Sequence, residues 1–83
     1  MQAIVTKYLP ATDTKDERVK ATTTSGQTLT MPWDYEQEAF GNHGRVAKAL
    51  AEKLGWRGEY SGAVLNENGY VFVQHYSQIS FTA

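Results

Sequence analysis

Two histidines, His43 and His75, are the only imidazoles in the chain, and their separation matches no i, i+3 or i+4 helical metal pair. His75 could move a proton with Glu59 across a hairpin, because a lone imidazole needs a carboxylate partner and a pocket to become catalytic. The plainer reading is a sheet or surface histidine, and His43 reads as a helix-start residue. Asp34, Glu36 and Glu38 could gather around magnesium or calcium, but they fit no EF-hand spacing and suit a solvated acidic turn. No serine stands in a nucleophile elbow, and the glycines form neither a P-loop nor a dinucleotide fingerprint. No catalytic residue, cofactor-binding residue or metal ligand is therefore assigned, and a protein that is not an enzyme and carries no cofactor is expected.

Binding chemistry has better candidates. Lys7, Lys15, Arg18 and Lys20 cluster around the first loop with the hydroxyls of Thr6, Thr12 and Thr14, a set that could grip phosphates, although Asp13, Asp16 and Glu17 interrupt it. Tyr70, Phe72 and Tyr76 fall on one face of a strand and could stack bases or anchor a protein partner. Packing beneath a helix explains the same rings equally well. Which strand face is buried stays open at this level. Trp33, Tyr35, Phe40, Trp56 and Tyr60 flank the helix ends, where large rings usually close a small core.

The elements that must position these residues are marked locally. Val46, Ala47, Leu50 and Leu54 share one helical face, with Asn42 read as the N-cap and Gly55 as the left-handed residue that ends the helix. Residues 2–9 are rich in β-branched and aromatic side chains and stop at Pro10, which reads as a strand. Residues 18–24 and 28–33 alternate around a Ser25-Gly26 turn, placing Val19, Ala21 and Thr23 on one side and Leu29, Met31 and Trp33 together. Residues 59–65 and 70–76 flank Asn66-Glu67-Asn68-Gly69, a second hairpin, with Val71, Val73 and His75 on one face. Residues 34–41 are a loop or one helical turn, and 77–83 are a tail or a last short strand using Ile79 and Phe81. The expected fold is α+β: one domain over residues 1–83, an antiparallel sheet of about five strands with one helix on one face, in the order βββαββ.

Composition narrows the setting. A chain of 83 residues, 41% hydrophobic and 20% charged, holds one core, since chains near this length bury only roughly 60–65% of their unfolded surface. A net charge of −1 gives no bulk attraction to nucleic acid. The absence of cysteine removes disulfides and thiolate chemistry. With no signal-peptide pattern after Met1 and no apolar run long enough to span a bilayer, a cytoplasmic protein without membrane contact is expected.

The stretches TKYLPATDTKDERVKA, MPWDYEQEAFGNHGRVAKALAEKLGW and GYVFVQ resemble a family of small uncharacterised proteins carried by proteobacterial phages, plasmids and integrated elements. In size and style the chain also looks like phage anti-defence proteins, including anti-CRISPR inhibitors. The resemblance brings no catalytic residues. It implies a non-enzymatic binding protein that inhibits or adapts a host protein or ribonucleoprotein. The residues themselves point to a sheet face for such binding, with Tyr70, Phe72 and Tyr76 as contacts and Lys15 and Arg18 at the rim, in a monomer or, through an unpaired sheet edge, a homodimer. The alternative is a small nucleic-acid binder using Lys7, Lys15, Arg18 and Lys20.

Overall fold

A computed structural model describes residues 3–56, 58 and 60–74. In chain order its elements are β1 (Ala3–Leu9), β2 (Arg18–Thr23), β3 (Thr28–Pro32), α1 (Ala39–Lys53), β4 (Tyr60–Asn66) and β5 (Gly69–Gln74). The strands form one five-stranded antiparallel sheet in the order β3-β2-β1-β5-β4. The expected α+β architecture and the βββαββ order are both present. The first strand is central, β3 and β4 are the two edges, and α1 carries the chain from one edge to the other. Expected roles for Glu59, His75, Tyr76 and residues 77–83 lie outside the described residues.

Strand alternation decides what meets the helix. Ile4, Val19, Ala21 and Phe72 point to one side and are buried against Val46, Ala47, Leu50 and Ala51 of α1. Each large aliphatic side chain so removed from water stabilises the fold by roughly 1.5–3 kcal/mol. Leu29, Met31, Trp33, Trp56, Tyr60 and Tyr70 pack around this centre, which confirms Leu29, Met31 and Trp33 as one group. Tyr35 stays exposed and Phe40 partly so, so these two rings do not close the core as expected. Gly62 makes room for the Phe72 ring: a Cβ there would lie 2.5 Å from it and 2.9 Å from the Phe40 ring.

The end of the helix follows expectation and its beginning does not. Gly55 has φ +74; its N–H donates to the Glu52 carbonyl at 3.1 Å and the Trp56 N–H to the Ala51 carbonyl at 2.8 Å, a Schellman ending. The start corrects the reading of Asn42 as N-cap. The helix begins a turn earlier at Ala39, after Glu38, whose side chain makes no capping bond. Asn42 is instead fully buried, and its amide serves the preceding loop. Its Oδ1 accepts from the Asp34 N–H at 2.7 Å. Its Nδ2 donates to the carbonyls of Asp34 at 2.9 Å, Gln37 at 3.1 Å and Glu38 at 3.2 Å. One side chain thus fastens the 34–38 loop to the helix: it gives the Asp34 N–H its acceptor and adds a second donor to the Asp34 and Glu38 carbonyls, which also accept from the Gln37 and Asn42 N–H groups.

Asn42→Ala should cost about 1–3 kcal/mol in chemical denaturation, the range for a buried polar group that loses its partner. Asn42→Asp should do no better, because it returns the acceptor but sets a carboxylate against three carbonyl oxygens.

Candidate binding surface

The helix covers one side of the sheet, so the other side is defined by the remaining positions of each strand. Register places Lys7 directly opposite Lys20, and Lys20 opposite Thr30. Val5 lies between Thr22 and Val71, Leu9 opposite Arg18, and Val71 opposite Ala63. The uncovered face therefore carries Lys7, Lys20 and Arg18 beside an apolar strip of Val5, Val71, Val73 and Ala63, with Thr22, Thr28 and Thr30 completing it. Among the described residues no strand contains an aspartate or glutamate. The acidic residues of the described chain stand instead in loops, in turns and on the helix.

A lysine pair facing each other across the two central strands is unfavourable for folding, since like charges directly opposite destabilise a sheet. Protecting an exposed edge does not explain it, because β1 and β2 are both interior strands. The two lysines are exposed, and Arg18 is half-buried with its Nη1 donating to the Asp16 carbonyl at 3.0 Å. Lys15 stands apart on the exposed loop between β1 and β2, where its N–H donates to the Thr12 hydroxyl at 3.2 Å. Three of the four cations picked out in the sequence thus share a face, and the fourth flanks one end of it.

The aromatic candidates fall on the other side. Tyr70 and Phe72 point toward the helix, Phe72 only 6% exposed. The Tyr70 ring packs against His43 at 4.7 Å and Phe40 at 5.3 Å between centroids. They cannot form one stacking platform with Lys7 and Lys20, because adjacent strand residues point to opposite faces. Tyr76 lies outside the described residues. The uncovered face had a legible signal in the sequence, the alternation of Val5 and Lys7 against Ile4 and Thr6, but deciding which set was inward required the helix.

No known family, curated protein or solved structure matches this chain. Its surfaces must be read from their own chemistry. Among the described residues no group of three or more histidine or acidic side chains could hold a metal ion, and no helix is long and apolar enough to cross a membrane.

Two polar clusters lie on the helix side. His43, read in the sequence as a helix-start residue, is 2% exposed within α1. Its Nδ1 is 2.7 Å from the Thr6 hydroxyl, and the Thr6 hydroxyl is 3.4 Å from the Tyr70 carbonyl. Burial holds the imidazole pKa below its usual value. Glu17 accepts hydrogen bonds from Tyr8 at 2.5 Å and Tyr35 at 2.7 Å. The Tyr8 bond, then the Tyr35 bond, lower the carboxyl pKa. The same bonds to Glu17 raise both phenols. Nothing in residue spacing joined Tyr8, Glu17 and Tyr35, since strand pairing and the 34–38 loop bring them together.

The signs set a pH profile. His43 binds a proton less readily folded than unfolded, so stability should begin to fall as pH drops below the ordinary histidine pKa near 6.5. Glu17 adds stability above its unfolded pKa that is lost as pH falls through its lower folded value. Melting temperatures from pH 8 to pH 3 should decline in two stages, and His43→Gln should flatten the upper one.

Proposed function

We propose that this chain is a non-enzymatic binding module whose uncovered sheet face docks on an acidic surface of a larger protein. The observation that carries this reading is the face itself. It holds two exposed lysines and an arginine beside an apolar strip, and none of the described strand residues is acidic. Charge of one sign beside an apolar strip suits a partner of opposite sign, and such complementarity governs specificity and the rate of encounter. The resemblance to small proteins of mobile elements makes a host protein or ribonucleoprotein the class of partner to test, with inhibition or adaptation, as in anti-CRISPR proteins, as the outcome.

Area argues for help from the loops. Five strands about 4.8 Å apart and roughly six residues long offer on the order of 450 Å² of flat projection, about half of the roughly 800 Å² each partner contributes to a standard interface. The loop between β1 and β2, with Lys15 beside Arg18, is placed to extend it. A nucleic-acid partner is the second reading, favoured by the same cations. It has less support because the described part of this face bears no aromatic ring on which a base could stack.

The lysine pair separates binding from folding. Lys7→Glu creates an opposite-charge pair with Lys20 and should leave stability unchanged or raise it by about 0.2–1 kcal/mol. The same change should sharply reduce recovery of a protein partner from nuclease-treated host lysate. A partner retained equally by Lys7→Glu and Lys20→Glu would refute the assignment of this face. Recovery of nucleic acid alone, with steep salt dependence, would favour the second reading.

A further inference from the structure

On the helix side, away from the lysine face, Tyr8, Trp33, Tyr70 and His43 line a cavity of about 460 Å³ together with Glu17 and Glu67. Its size lies within the usual range for small-molecule sites. The rings meet at steep angles: Tyr8 and Trp33 are 5.3 Å apart at 82°, and Trp33 and His43 are 6.2 Å apart at 85°. Backbone bonds set the walls. Trp33 N–H donates to the Glu17 carbonyl at 3.0 Å, and Tyr8 N–H donates to the Asn68 carbonyl at 2.7 Å, which holds the Glu67 turn beside Tyr8.

The lining contains two carboxylates and neither lysine nor arginine. Glu17 is kept anionic by its two phenol donors, and His43 is kept neutral by burial. Aromatic faces attract cations through their quadrupoles, and a carboxylate adds direct charge attraction. We infer that this cavity binds an organic cation, an alkylammonium or guanidinium group, against the wall formed by the Tyr8, Trp33 and Tyr70 rings with Glu17 and Glu67 as counter-charges. The group could be carried by a lysine or arginine side chain of a partner protein or by a free small amine. The site is independent of the lysine face, since it uses the opposite set of strand positions.

Trp33 reports occupancy directly once Trp56 is replaced by Phe. Tetramethylammonium chloride should change Trp33 emission saturably, beyond the effect of sodium chloride at equal ionic strength and of tert-butanol as a neutral isostere. Glu17→Gln should weaken that binding by roughly five- to thirtyfold, in the range of cation–aromatic and ion-pair contributions. Glu67→Gln, on an exposed turn where folding is not at stake, should weaken it by a smaller factor. A lysine-centred pentapeptide binding more tightly than n-butylammonium assigns the site to a partner side chain, and the reverse assigns it to a free amine. No saturable response to any of the cations, or binding unchanged by both substitutions, would overturn the inference. Lys7→Glu should leave it unaltered, which separates failure of this site from failure of the docking face.

Discussion

A single helix must serve five strands, and that constraint shapes everything else in the molecule. One helix can dry only one face of an antiparallel sheet, so each strand has to divide its side chains into a set that meets α1 and a set that does not. Ile4 and Thr6 go in while Val5 and Lys7 go out; Val19 and Ala21 go in while Arg18 and Lys20 go out. A one-residue slip of β1 or β2 would exchange the sets and turn Lys7 or Lys20 toward the core. Burial on the helix side thus fixes the register, and the register in turn places Lys7 against Lys20 outside.

Apolar packing supplies most of the stabilisation, but polar contacts select one arrangement. Thr6 and His43 are buried and meet each other, joining the central strand to the helix at one height. Asn42 binds the loop that enters the helix. Tyr8, Glu17 and Tyr35 then tie the strand, the first loop and that same loop together on one side. Partial burial of such groups without partners would cost more than the bonds contribute, so alternative dockings of the helix are disfavoured.

Much of the fold was legible because it rests on local periodicity. The alternation of Val19, Ala21 and Thr23, the Ser25-Gly26 turn, the stop at Pro10 and the glycine ending at Gly55 all depend on near neighbours. Asn42 misled because its identity suits an N-cap, while its actual bonds reach back as far as Asp34 across a loop with no periodic signal. The binding residues were legible only in part. Lys7, Arg18 and Lys20 could be grouped by closeness in sequence, but Tyr70 and Phe72 could not be assigned to a face, because both faces of that strand are apolar. Strand pairing across β1 and β5 decided it, and that pairing joins residues more than sixty positions apart.

Docking through the lysine face requires that face to be free in the isolated protein, and a chain without cysteine allows this to be measured with single introduced thiols. Val5 is 37% exposed and Ala21 is 0% exposed, on neighbouring strands and opposite faces. Rates of thiol labelling for Val5→Cys and Ala21→Cys under native conditions compare the faces directly. The thiol at 5 should react within about tenfold of an unfolded control, while that at 21 should wait for global opening of the fold. Equal protection of both, at any protein concentration, would mean the lysine face is covered and would contradict the account.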